Sequence, residues 1–315
     1  MQIKKKININ YIIALLCMLG CMIGSICKGY FIRNLAQLGI NVVMINGVQQ
    51  LIAFALTTIS LWIAGASWKS RYINLHLIRA LLTVIAETAW NYGLTIEIIP
   101  LYLSSFIALV IPSVNMVISV VLLNEKQSNY TLAMGLCVIL PIARYLLVGK
   151  YVISILLLVI ACILYALLDC TGAFVTYNER YKASRLSKIF RIHGNEGLMT
   201  SNFYNALCST VVQVFFSVII ALTNSGAQTS LVQILYNTEN YWKYIALGVL
   251  SWSSIPLLFI AYRKATVSSI QPIKAFEPII AGSIIDKHVP NGISVGVIGF
   301  FIVSLIMILR ESSRL

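Results

Sequence analysis

The chain has 315 residues, of which 59% are hydrophobic and only 10% charged, and its mean hydropathy is +0.88. Soluble domains carry about 25% charged residues, so the composition excludes an ordinary globular domain and points to an integral membrane protein. A net charge of +13 raises the question of a nucleic-acid partner, which the placement of the basic residues answers below.

In chain order, ten apolar runs separated by polar or charged breaks span residues 11–30, 42–64, 75–96, 101–123, 131–148, 152–175, 201–222, 244–262, 267–285 and 293–309. Most reach the roughly 20 residues that cross a ~30 Å hydrocarbon layer as a helix; the fifth, ninth and tenth are shorter. No alternating strand pattern is present, and a lipid-embedded segment must satisfy its own backbone, so the runs predict an all-α membrane protein. The first run follows Lys4, Lys5 and Lys6 as a secretory signal would. It lacks a convincing small-residue cleavage site and is longer than an h-region, so it is read as the first span.

The basic residues sort by loop. With an even number of spans and the N-terminus inside, Lys4, Lys5, Lys6, Lys69, Arg71, Lys126, Arg180, Lys182, Arg185, Lys188, Arg191, Arg263, Lys264, Arg310 and Arg314 fall on the cytoplasmic side, against Arg33, Lys150, Lys243 and Lys287 outside. This is the bias that membrane insertion produces. It places both termini in the cytoplasm and makes the lipid bilayer, not nucleic acid, the macromolecular partner.

Signals for catalysis are absent. All seven cysteines lie within the apolar runs without metal-ligand spacing, and His76, His193 and His288 are scattered. No nucleophile elbow, phosphate loop or dinucleotide motif occurs. The expectation is therefore a protein that is not an enzyme and uses no cofactor or metal.

An internal similarity organises the whole. "LNEKQSNYTLAMGL" (123–136) aligns with "IDKHVPNGISVGV" (285–297) at an offset that pairs Glu125 with Asp286, Lys126 with Lys287 and Gly135 with Gly296. That offset carries span 4 onto span 9 and span 5 onto span 10. Five spans is odd, so the halves, residues 1–150 and 151–315, are expected as an inverted 5+5 repeat of ten transmembrane helices, with a substrate held near the midplane.

Polar residues inside the spans mark a candidate site. Arg79, Thr83, Glu87, Trp90 and Asn91 recur at helical spacing and share one stripe of span 3, while Leu81, Leu82, Val84 and Ile85 point elsewhere. A carboxylate at membrane depth is expensive, so this stripe faces the bundle interior, as a cavity wall or as a hydrogen-bonded seam. Span 9, "SSIQPIKAFEPIIAG", carries Pro272, Pro278, Lys274 and Glu277. The last two either pair along their own helix or line a cavity at a proline break. Asp169 falls near the cytoplasmic end of span 6, and Lys28 at the end of span 1 can reach the outer interface. Tyr92, Tyr102, Trp252 and Tyr262 complete the aromatic inventory. Trp90 stands apart because a ring beside a carboxylate suits a ligand that is both cationic and aromatic.

These residues also carry a resemblance. "RALL" at 79–82, a proline at 112 followed by Glu125 in "LLNEK", Gly135 and "FEP" at 276–278 resemble the EamA-like branch of the drug/metabolite transporter superfamily. "AWNYGLTI" (89–96) and "YALLDC" (165–170) look like stretches of the S-adenosylmethionine uptake transporters of intracellular bacteria, although "IGSICK" stands where an acidic residue is expected in span 1. The resemblance implies a carrier of the bacterial inner membrane that takes up S-adenosylmethionine, in exchange for S-adenosylhomocysteine; the candidate substrate-binding residues are Glu87, Trp90, Asn91, Lys274 and Glu277 from the buried polar pattern, with Tyr92 and Asp169 added by the resemblance. Its partners are then a small-molecule substrate and the bilayer, with a homodimer left open. A cationic-drug or amino-acid-metabolite exporter is the rival, and a scaffold or a lipid-modifying enzyme is a more distant one.

Overall fold

A computed structural model describes residues 9–125, 143, 149, 151–191, 194–281, 285, 286, 299 and 303. Nearly all of spans 5 and 10, Lys126, Lys150, Lys287, both charged termini, Cys137, His193, His288 and most of the internal alignment lie outside the described residues.

The described residues are helical, without strands. The long helices are α1 (Ile9–Gln37), α2 (Val42–Ile63) and α3 (Ile73–Thr95), then, after a short broken pair α4 (Leu101–Ile107) and α5 (Val110–Ile118), α6 (Val152–Thr176). A short α7 (Arg185–Phe190) follows, then α8 (Leu198–Thr223), α9 (Ser225–Tyr236), α10 (Tyr241–Lys264), α11 (Val267–Ile270) and α12 (Glu277–Ile280). Six segments among the described residues are long and apolar enough to cross a membrane: α1, α2, Leu101–Leu123, α6, α8 and Thr238–Lys264. The outer surface matches a lipid environment. Trp62, Ile63, Phe215 and Leu222 are largely exposed on these helices, where water would penalise them.

Two expected spans are interrupted in their winding, and the first of them, Leu101–Leu123, keeps the bounds of a segment long and apolar enough to cross a membrane. Residues 101–123 do not form one helix: α4 ends, the chain turns at Ala108 and Leu109, α5 starts at Val110, and a π-helical turn Ser119–Leu123 closes the segment. Pro112 has no N–H to offer the carbonyl four residues earlier, at Ala108, which is where the helix breaks. Span 9 is broken as well. Its four-residue α11 gives way to a 3₁₀ segment Gln271–Phe276 before α12 begins, and Pro272 and Pro278 each withhold one donor from a continuous ladder.

Two helices had no counterpart in the apolar runs. Short α7 opens on Ser184, whose hydroxyl accepts from Ser187 N, and α9 opens on Asn224, whose side chain accepts from Gly226 N and Ala227 N. Both are started by capping chemistry rather than by hydropathy.

The broken spans are tied to each other at opposite ends. Asp286 Oδ2 accepts from Tyr102 N at 2.8 Å, at the start of α4, and its Oδ1 accepts from Arg33 Nη2 at 3.2 Å. Glu125, just past the π turn, accepts from Val267 N at 3.2 Å, at the start of α11, and from Tyr181 Oη at 2.8 Å. Each segment's terminal acid thus holds the other segment's first turn.

Candidate functional site

A cavity of about 230 Å³ lies among α1, α3, α6, α10 and the two broken segments. Glu87, Trp90, Asn91, Asp169, Lys274 and Glu277 all line it. Tyr92 does not; it packs against the apolar cluster of Ile32, Leu35, Val43 and Leu247. Tyr102, Trp252 and Tyr262 are also absent from the wall. Trp252 instead donates to Ser60 Oγ at 3.0 Å.

The α3 stripe faces inward as its periodicity dictates. Arg79, Glu87 and Asn91 are 4%, 8% and 3% exposed, whereas Leu81 and Ile85 on the other face are 52% and 54% exposed. Glu87 is held from two neighbouring helices. Gln50 Nε2 of α2 donates to Oε2 at 2.8 Å, and Lys28 Nζ of α1 lies 3.5 Å from Oε1. Lys28 therefore turns into the cavity instead of reaching the outer interface, because a counter-charge at membrane depth outweighs the shorter path to water. One turn on, Asn91 Nδ2 donates to Asn46 Oδ1 at 2.6 Å.

Asp169 was expected near water at the cytoplasmic end of its span; it is buried. Its Oδ2 accepts from Asn115 Nδ2 of α5 at 2.9 Å and from Gln271 Nε2 of the 3₁₀ segment at 2.7 Å, so a single carboxylate joins α6 to both broken spans. Gln271 Nε2 also reaches the Tyr262 hydroxyl at 3.2 Å.

Lys274 and Glu277 do not form the intrahelical pair that their spacing allows: the salt bridges among the described residues are Lys28–Glu87, Arg33–Asp286 and His76–Glu196. The 3₁₀ winding of residues 271–276 changes the register that an i,i+3 contact on an α-helix assumes. Both side chains instead face the cavity.

Sequence reasoning missed several wall residues. Tyr165 packs edge-on against Trp90, with centroids 6.1 Å apart, and Phe259, Asn205, Ser254, Met18 and Met22 are among the other lining residues. Only Tyr165 had a signal, inside the "YALLDC" stretch. The wall carries Lys28, Arg79 and Lys274 against Glu87, Asp169 and Glu277, so it offers both signs of charge beside an aromatic pair. Among the described residues no cluster of His, Cys, Asp and Glu could hold a metal ion.

No family model matches the sequence, and no curated protein matches it. Among solved structures, a chain described only as "Crystal structure of protein" superposes with a TM-score of 0.63 at 11% identity, covering 98% of this chain and 99% of that one. At such low identity the likeness shows a shared fold and nothing of function. Fold and composition together define a multi-pass, all-helical membrane protein.

Proposed function

We propose that this chain is a secondary active transporter of a small organic metabolite, working by alternating access across a bacterial inner membrane. The observation that carries the reading is the cavity itself: charged and aromatic side chains converge inside helices whose outer faces are apolar. Such intramembrane charges are expensive and mark substrate pathways.

The complete architecture in this reading is ten transmembrane helices in an inverted 5+5 repeat, with both termini cytoplasmic. Support comes from the two proline-broken segments at corresponding positions, the pattern that marks binding sites in inverted-repeat carriers, and from the reciprocal contacts of Glu125 with Val267 and Asp286 with Tyr102. The substrate is S-adenosylmethionine, exchanged for S-adenosylhomocysteine. The Trp90–Tyr165 pair suits an adenine ring, which stacks on aromatic side chains for about 1–3 kcal/mol, and the acids suit the sulfonium and ammonium groups. No covalent chemistry or cofactor is needed.

The rival is an exporter of amphipathic cationic drugs, favoured by Met18 and Met22 in the wall, since flexible thioethers adapt to varied ligands. Uptake of labelled S-adenosylmethionine by cells expressing the chain separates the two. Competition by S-adenosylhomocysteine but not by cationic dyes supports the first reading; no uptake above the empty-vector level rejects it.

A further inference from the structure

Among the charged residues of the cavity wall, Arg79 is the one with buried donors left unsatisfied. It is 4% exposed, and its Nε and Nη1 have no hydrogen-bond partner among the described residues. No carboxylate lies within ion-pair distance of it there. Its guanidinium sits over the Phe259 ring, 5.2 Å from the centroid. On the side of α6, Gly172 leaves room: a Cβ there would stand 3.2 Å from Nη2. The packing therefore fixes the guanidinium plane and leaves Nε and Nη1 without an acceptor, on a side chain that lines the cavity. An arginine cannot shed its charge by losing a proton, and a buried cation with no acceptor in contact, only the more distant charges of Asp169 and Glu196, is unfavourable unless something anionic completes it. A structural arginine would have been given acceptors by its neighbours. This one has an aromatic platform and two donors without an acceptor.

We infer that Arg79 is the anion-binding pole of the cavity, and that the transported molecule carries a carboxylate at the end opposite its aromatic group. This inference rests on the transporter reading and narrows its substrate class. Arg79 and Glu87 share one face of α3, about 12 Å apart along the axis at 1.5 Å per residue, and Trp90 lies one turn further. An elongated amino-acid conjugate fits this order, with its carboxylate on the guanidinium fork and its ring against Trp90 and Tyr165. The same geometry disfavours molecules with a cationic ring system and no carboxylate.

The test uses the full-length protein in lipid nanodiscs, with S-adenosylmethionine and its decarboxylated analogue as probes. The wild type should prefer the carboxylate-bearing probe by about tenfold or more, the scale of one charge-assisted bidentate contact. Arg79→Gln should lose that preference by weakening S-adenosylmethionine while leaving the decarboxylated analogue nearly unchanged, and Arg79→Lys should keep part of it. Retention of the full preference in Arg79→Gln overturns the inference. A second readout needs no ligand: removing a buried cation that makes no ion-pair contact should leave the thermal midpoint of the empty protein equal or higher, whereas a lower midpoint identifies a structural donor and overturns the inference. If the wild type binds neither adenosyl probe, the adenosyl reading of the function fails by itself. L-tryptophan against tryptamine then decides Arg79: carboxylate-dependent binding lost in Arg79→Gln supports the pole, and no carboxylate preference with either pair overturns it.

Discussion

Lys28 of α1 approaches Glu87 of α3 to 3.5 Å between Nζ and Oε1, inside a cavity wall where Gln50 of α2 holds the other carboxylate oxygen at 2.8 Å. The carboxylate that seemed to await a substrate cation already has a counter-charge. A ligand cation at Glu87 must therefore compete with Lys28, and displacing the lysine is a natural way to link occupancy to helix movement.

From this pair follows the first prediction. Glu87→Gln leaves Lys28 without its partner. The loss should be about 1–3 kcal/mol, between the limits for exposed and buried pairs, because the Lys28 side chain keeps 20% exposure. Thermal unfolding in detergent measures it. Combining Lys28→Met with Glu87→Gln should recover most of that stability while transport stays lost. A Glu87→Gln protein with wild-type midpoint and uptake would show that the carboxylate has no role in either.

Lys274 and Glu277 face the cavity without pairing. Exchanging them, as Lys274→Glu with Glu277→Lys, would be silent for an intrahelical pair. Here the two charges act on each other without an ion-pair contact and each faces the cavity, so the double variant should transport at least about tenfold more slowly, the rate equivalent of about 1.4 kcal/mol, at normal membrane abundance. Uptake at the wild-type rate would remove both residues from the site.

How much of this was legible follows from the range over which sequence patterns act. The stripe Arg79, Thr83, Glu87, Trp90, Asn91 was readable because helical periodicity is local. The Lys28–Glu87 and Gln50–Glu87 contacts join three helices, and no spacing rule reaches across separate spans, so Lys28 looked like an interface residue and Gln50 like an incidental amide. The breaks in spans 4 and 9 had a visible cause in Pro112, Pro272 and Pro278, but hydropathy averages over a proline and reported continuous runs. Tyr92 follows Asn91 directly, and one residue is a 100° turn, enough to carry it out of the cavity and into the α2–α10 cluster.

At the end of α3 distant from Thr95, Glu196 meets His76 Nε2 at 2.8 Å and the Ser201 hydroxyl at 2.7 Å. Burial alone would raise the Glu196 carboxyl; hydrogen bonds from His76, Ser70 and Ser201, with the His76 charge, outweigh it and hold the group below its ordinary value. A depressed carboxyl contributes stability that is complete above the unfolded value of about 4.3 and is lost as pH falls through the folded value. The wild type should therefore lose thermal stability below about pH 4.3, and Glu196→Gln should flatten that acid limb while lowering the midpoint at pH 7. An unchanged acid limb in the variant would assign the acid sensitivity elsewhere.

Orientation can be read chemically. Lys182, after the 3₁₀ turn Asn178–Tyr181, and Asn237, between α9 and α10, are both exposed and lie on opposite sides in the proposed topology. A cysteine at 182 should react with a membrane-impermeant maleimide only after the cells are opened, and one at 237 in intact cells. The reverse pattern, or equal labelling, rejects the proposed arrangement of spans.

The reciprocal clamps supply the most direct test of alternating access. Asp286 joins Arg33 to the first turn of α4, and Glu125 joins Tyr181 to the first turn of α11. In the proposed orientation these contacts close the outer and the inner side of the cavity respectively, and both are formed here, so one must release for the cavity to open on its side. Asp286→Asn removes the attraction for Arg33 with little change in shape and should favour the outward-open state; Glu125→Gln weakens the opposite clamp and should favour the inward-open one. Cys21 lines the cavity, its thiol donating to Ser254 O at 2.9 Å, and serves as the reporter once the other cysteines are replaced. In sealed right-side-out vesicles an impermeant maleimide should label Cys21 faster in Asp286→Asn than in the wild type, and in inverted vesicles faster in Glu125→Gln. A ligand that binds the cavity should slow both reactions. Equal acceleration from both sides would mean that the substitutions merely loosen the bundle, and no acceleration in either would mean that the clamps do not gate the site.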